Sequence, residues 1–302
     1  MKNLTDYIAE AYEYNYNISN VPKYTSTGTD KVDINKKNNK TNNKTNYTVQ
    51  PKNKNELSDI ITNAFKNKQY DLNFIDTSKI TDMSWLFEHI VYDFDISNWD
   101  VSNVTNMYGM LYKCKTFNCD LSNWDVSNVK DMSNMFVECY NFNADLSNWN
   151  VSNVTNIESM FFDCYKFTGK GLENWDVSNV TDMSHMFNGC ENFDCDLSKW
   201  DTSRVKDMHS MLAGCEKFNC NLSNWDVSNV TNMSYMFDRC TIFKGKGLEN
   251  WDISYVTDTR GMFRKCYNFK TDLSKWNISN MKYYGSMFKG CNKLAIPSWY
   301  EE

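Results

Sequence analysis

Proline, glycine and histidine are scarce in this 302-residue chain, which has three, 11 and three of them. The first two counts exclude a collagen-like polymer and a Pro/Gly-rich disordered chain. No run of about 18 apolar residues occurs, so no transmembrane segment is expected. The start, Met1 to Glu10, places Asp6 and Glu10 where a signal peptide needs an unbroken apolar stretch. No lipobox-like cysteine stands near it, since the first cysteine is Cys114. Neither export signal is expected, which leaves envelope, virion and cytoplasm open as locations. Basic charge is also missing where it would matter. Residues 1–55 carry nine lysines against five acidic residues, but the rest carries 23 basic and 33 acidic residues, a formal −10. That surface repels phosphates, and no nucleic-acid partner is expected.

What is present is repetition. Trp99, Trp124, Trp149, Trp175, Trp200, Trp225, Trp251 and Trp276 recur every 25 or 26 residues, and eight cysteines from Cys114 to Cys291 each follow a tryptophan by 15. With a degenerate first copy from Leu72 to Phe87, nine copies are counted. Within a copy, Leu121, Trp124 and Val126 suggest a short strand, while Val129, Met132, Met135, Phe136 and Cys139 fall at the three- and four-residue spacing of helical turns. Such a unit cannot bury its apolar face alone, so the expectation is an α/β repeat solenoid of strand plus short helix units with one parallel sheet, on the order of 45 Å long. The 26-residue copies carry their extra residue at Gly169-Lys170-Gly171 and Gly245-Lys246-Gly247, where glycine permits a bulge. A phosphate loop is not expected there, because a strand is expected to follow and no helix N-terminus is available.

The unit W-D-V-S-N-V-T-N-M-S-Y-M-F-D-R-C from Trp225 to Cys240, with its equivalents over residues 72–294, resembles the BspA-like class of leucine-rich repeats. Specifically it is similar to the roughly 25-residue version found in tandem in mycoplasma surface proteins and in other bacterial and phage proteins. The segment Asp71 to Ser78 looks like the first repeat of such arrays. The resemblance implies a leucine-rich-repeat-like solenoid used for binding, often at a cell surface, and no catalytic residues.

Four segments are expected. Residues 1–19 form an amphipathic peptide, with Leu4, Tyr7, Ile8 and Tyr12 on one face as a candidate docking surface for a larger assembly. Residues 20–54, rich in Asn, Lys and Thr, read as a flexible linker. Residues 55–70 read as a helical cap with Asn55 at its N-cap and Leu57, Ile60, Ile61, Ala64 and Phe65 as its apolar stripe. Residues 71–302 form the array, closing on a last strand at Leu294 to Trp299 that Pro297 stops from pairing.

No hydrolase elbow, zinc-protease helix, phosphate loop or dinucleotide fingerprint occurs, so the chain is expected to be no enzyme and to carry no cofactor. Asp76, Asp100, Asp125, Asp176, Asp201, Asp226 and Asp252 share one column, with Asn150 and Asn277 in the other two copies. Their repulsion is expected to be offset by bonds to nearby amides and to the serine column Ser78 to Ser279, in preference to a row of calcium ions. The cysteine column reads as buried reduced thiols, although neighbouring copies lie within disulfide reach. His89, His185 and His209 fall in three columns and are not expected to converge on a metal or a catalytic site. Specificity is assigned to the variable helix flank, at Tyr108, Tyr112, Phe162, His185, His209, Tyr235, Arg260 and Arg264, or to the Gly-Lys-Gly bulges. The functional expectation is a binding protein for a protein or cell-surface ligand, displayed as an adhesin-like module or as part of a phage particle. The alternative is a structural spacer or scaffold that docks through residues 1–19.

Overall fold

The computed structural model describes residues 47–301, which lie in one compact unit, Lys44–Glu302. Residues 1–19, with Leu4, Tyr7, Ile8 and Tyr12, lie outside the described residues.

The expected sheet and helices are not what the repeats form. Among the described residues there is one α-helix, α1 (Lys54–Lys66), and two three-residue 3-10 turns, Leu172–Asn174 and Leu248–Asn250. In the repeats, β pairing is confined to isolated parallel bridges; the longest run links Asp82, Asn106, Asp131, Asn156, Asp182, Asp207, Asn232, Asp258 and Tyr283. The strand-plus-helix solenoid and its leucine-rich-repeat-like architecture are therefore overturned.

The third copy shows why. Its amides at Trp124, Val129, Met135, Cys139 and Phe142 donate to the carbonyls of Leu121, Val126, Met132, Phe136 and Cys139, at 2.9–3.3 Å. Each bond closes a tight turn and turns both of its ends inward, so a chain of turns carries the same three-residue spacing as a helical stripe. Leu121, Trp124, Val126, Val129, Met132, Met135, Phe136, Cys139 and Phe142 are all buried. Other amides leave the copy altogether. Met132, Asn134, Phe136 and Glu138 donate to Asn156, Glu158, Met160 and Phe162 of the next copy at 2.7–3.1 Å. That alternation holds Asn134 and Glu138 at φ 59° and 54°, which no right-handed helix allows.

Copies stack through their apolar columns as well as their backbones. Trp124 and Trp149 lie parallel at 6.3 Å and Phe136 and Phe161 at 5.4 Å. Each indole N–H of the tryptophan column donates to a carbonyl of the preceding copy, as Trp149 Nε1 does to Leu121 at 3.1 Å and Trp200 Nε1 to Leu172 at 2.9 Å. Tryptophan thus fills the core and satisfies a buried acceptor, which phenylalanine cannot do.

At the leading end α1 buries Leu57, Ile61 and Ala64 against the first copy. Its N-cap is Asn53 rather than Asn55, with the Asn53 side chain accepting from the Glu56 amide at 3.0 Å. Residues grouped with the linker join the array: Thr48 donates to Phe74, and Asp76 donates to Val49. At the trailing end Trp299 Nε1 donates to Leu273 at 3.0 Å, so residues 294–300 form part of a further turn in place of a strand.

One site in the stack is strained. Ser159 sits at φ 54°, fully buried, and its hydroxyl has no hydrogen-bond partner among the described residues. Glycine occupies the same position at Gly109 and Gly261. Ser159→Gly relieves a left-handed side chain and an unpaired hydroxyl, against the extra freedom glycine gives the unfolded chain. A net gain of about 1 kcal/mol is expected as a higher urea midpoint.

Candidate interaction flank

The flank assigned to specificity is made of tight turns, so its description as a helix side is corrected. Its side chains spring from the turn positions beside the bridge column and gather into two groups. At the leading end Tyr108 and Tyr112 set their edges against the Trp85 ring at 4.8 and 5.3 Å. Lys113 Nζ lies 5.2 Å from the centre of Tyr112, and Lys113 pairs with Glu138 at 3.1 Å. Farther along, Phe162, His185, His209 and Tyr235 follow one another with ring centres 6.0, 4.6 and 6.1 Å apart. The Arg264 guanidinium lies 5.3 Å from the Tyr235 ring and clasps Asp238 through two bonds of 2.8 and 2.6 Å. Arg260 pairs with Asp258 at 2.6 Å and lies over Tyr283 at 5.3 Å.

His185 and His209 meet edge to face although they occupy neighbouring columns, because a one-residue offset between adjacent copies is small enough for imidazoles to span. His89 is apart, 5.8 Å from Tyr112. Among the described residues no group of three or more metal-ligating side chains could hold an ion. His185 Nδ1 faces the Asn188 amide at 3.2 Å, and His209 Nδ1 faces Ser234 Oγ at 2.7 Å. Burial, with His209 adding to it, pushes the His185 pKa down to about 3 from the ordinary 6.5. The unfolded imidazole therefore takes its proton near pH 6.5 and the folded one resists until about 3, so stability present above 6.5 is lost as pH falls. His185→Asn removes this term. Between pH 6.5 and 4.5 the parent chain is expected to lose about 2 kcal/mol more than the variant, read from urea midpoints at each pH.

Carboxylates crowd the middle of the flank. Burial raises the Glu158 pKa, and Asp182, Asp207 and Asp131 raise it further; burial also raises that of Asp207. The aspartate column behaves otherwise. Asp125, Asp201 and Asp252 accept from the amide of the serine two residues on, at 3.0–3.1 Å, and the serine hydroxyl and amide hold each carboxyl below its usual range. The same bond recurs at Asp131 and at Asp120, so the third copy has three such turns where one column had been noticed. With these oxygens committed, millimolar calcium is expected to leave the melting temperature unchanged.

All eleven cysteines are free thiols. Those of the main column donate to a carbonyl one copy back, as Cys139 Sγ does to Leu111 at 3.1 Å and Cys215 Sγ to Phe187 at 3.2 Å. Burial raises their pKa well above the ordinary value, which keeps them protonated. At the bulge, Lys170 Nζ is paired with Asp145 at 2.8 Å, and a 3-10 turn follows Gly171 where a strand was expected.

Trp85 is the residue sequence reasoning missed on this flank. It lies in the degenerate first copy, outside the tryptophan column, and is exposed; its signal was its position beside the Met83-x-x-Leu86-Phe87 core pattern. Among the described residues no helix is long and apolar enough to cross a membrane.

Three stretches, residues 55–170, 156–247 and 225–300, match one family model. No curated protein and no solved structure matches the chain. Those stretches overlap and span the array from α1 to the last copy, so the chain belongs to the family described as "Mycoplasma protein of unknown function, DUF285".

Proposed function

We propose that this chain is a non-enzymatic repeat protein that presents its varied flank to a protein or cell-surface partner, itself displayed on a cell or a particle. One observation carries the reading. The columns that stay constant from copy to copy are occupied in holding copies together: indole N–H, thiol and asparagine groups reach back to carbonyls, as Asn128 Nδ2 does to Ser102 at 2.7 Å. The side chains that differ most sit on the flank, where Tyr108, Phe162, His209, Tyr235 and Arg264 are half-buried and Arg260 is exposed. They provide the aromatic and arginine character that concentrates binding energy at interfaces. The array's acidic surplus suits a protein partner better than a nucleic acid.

Fluorescent beads coated with the chain test this reading on a panel of intact cells. Retention on at least one cell type is expected, and a variant carrying Tyr108→Ser, Phe162→Ser, His209→Ser and Arg260→Ser should lose it while keeping the parent's circular dichroism. Equal retention by parent and variant overturns the assignment.

A further inference from the structure

Charge along the flank is polarised. In each copy the flank runs for ten residues, from the bridge column to the residue after the cysteine. In the fourth, fifth and sixth copies, residues 156–165, 182–191 and 207–216 hold six acidic residues and no lysine or arginine. The seventh, residues 232–241, is balanced by Asp238 and Arg239. In the eighth and ninth, residues 258–267 and 283–292 hold four basic residues and one acidic. Neither half is neutralised from within. Among the described residues no ion pair reaches Glu158, Asp182, Glu191, Asp207 or Glu216, nor the exposed Lys265 and Lys289. Burial raises the Glu191 pKa and Glu216 raises it further, as Asp182 and Asp207 do for Glu158.

Bulk is divided along the same line. Copies equally distant from the junction of the sixth and seventh match a long side chain with a small one. Across the fifth and eighth, Arg260 corresponds to Ser184 and Lys265 to Gly189. Across the fourth and ninth, Glu158 corresponds to Gly285 and Asp163 to Gly290. A Cβ added to Gly189 would run into the Asp163 carboxylate, and one added to Gly290 would lie 3.3 Å from the Lys265 Cα and 3.8 Å from its Cγ. Asp163 therefore leans over the fifth copy and Lys265 over the ninth, which puts an anion and a cation at equal distances on either side of the junction.

We propose that the partner met by this flank is a second copy of the same chain, bound antiparallel about a two-fold axis that lies across the flank between the sixth and seventh copies. Such an axis sets each column against itself with the copy order reversed, as a self-complementary interface requires. Asp163 of each chain then meets Lys265 of the other. Arg260 enters the hollow at Ser184, where the carboxylates of Glu158, Asp182 and Asp207 act on one another. Its Nε and Nη2 are bonded to Asp258, which leaves Nη1 for a second carboxylate. An axis through the seventh copy would instead oppose Arg239 to itself and Arg260 to His209, long against long and with the charges unmatched. Complementarity of this kind fixes register, and salt weakens it. The pairing rests on the function proposed above for the flank's being a binding surface.

Sedimentation velocity of the full chain tests it without cells. A dimer is expected in low salt and a monomer in about 1 M salt, where screening shortens to roughly 3 Å. One variant carries Arg260→Glu, Lys265→Glu and Lys289→Glu, and a second carries Glu158→Lys, Glu191→Lys and Glu216→Lys. Each alone should stay monomeric. Their equal mixture should dimerise, because the acidic half intact in the first meets the basic half intact in the second. Zero-length carbodiimide coupling of the parent needs no variant and serves if either fails to fold. It should join Lys265 to Asp163, which lie four copies and roughly 19 Å apart in one chain and so couple only between chains. A parent that is monomeric in low salt, variants that dimerise as the parent does, or a dimer without that cross-link overturns the pairing. Beads retained by cells that do not carry the chain, with a monomeric parent, would sink the pairing and leave the function standing. A cross-linked dimer that no cell retains supports the pairing and counts against the display proposed above.

Discussion

Replacing Trp200 with alanine is expected to remove about 4–5 kcal/mol, within the range for emptying a buried tryptophan site and raised by the acceptor left behind. Trp200 is 1% exposed, its ring lies 6.2 Å from Phe187, and its indole N–H is bonded to the Leu172 carbonyl at 2.9 Å. Stacked copies hold one another only through their neighbours, so a gap in the sixth copy weakens the junction between two halves of the array. Denaturant unfolding should lose its single sharp transition and separate into two. Trp200→Phe isolates the hydrogen bond: it retains much of the ring, and the expected loss falls to about 2 kcal/mol, mostly the unpaired carbonyl. A single unshifted transition in the alanine variant would mean that the indole ladder contributes little.

Gly171→Ala should be nearly as damaging. At φ 94° the backbone is already in a region that disfavours side chains, and the new Cβ would lie 2.2 Å from the Ser147 amide nitrogen and 2.7 Å from the Leu146 carbonyl carbon. Both neighbours are main chain of the preceding copy and cannot turn aside. The expected loss is about 3–5 kcal/mol, from left-handed strain together with overpacking. Two other glycines calibrate it. Gly214, at φ 76°, has nothing nearer than 3.4 Å, so alanine there should cost about 1–2 kcal/mol from conformation alone. Gly285 has no atom within 4 Å, and alanine there should be close to neutral. Thermal melts of the three variants should rank in that order, and an unchanged Gly171→Ala melt would show that the 26-residue copies can shift without loss.

Much of the array was legible because period and burial are written in the same residues. Trp124, Val126, Val129, Met132, Phe136 and Cys139 are the recurring apolar letters and they are the core. Their local conformation was not legible, since Met132, Met135, Phe136 and Cys139 would space themselves identically on a helix and on a run of turns. The distinguishing residues were those between them: Asn134, Glu138, Ser159 and Asp163, all at positive φ, share a column with glycines such as Gly109 and Gly261 or Gly189 and Gly214. Recurrent glycine at one column of a supposed helix pointed to left-handed backbone. The flank suffered from the opposite problem. Aligning copies on tryptophan scattered the large side chains over two columns, so the contact between His185 and His209 was hidden by an offset that carries the information. Residues 1–46 remain outside the described structure.

The thiol column has a practical consequence. Each of the eight sulfurs is closed off by its own copy and the one before it, and burial keeps it protonated. An alkylating reagent can reach Cys164 or Cys190 only when that junction parts, so its rate of labelling measures how often the junction breathes. One such probe in each of the eight copies after the first, already native to the chain, would let mass spectrometry chart opening along the array and show where unfolding begins.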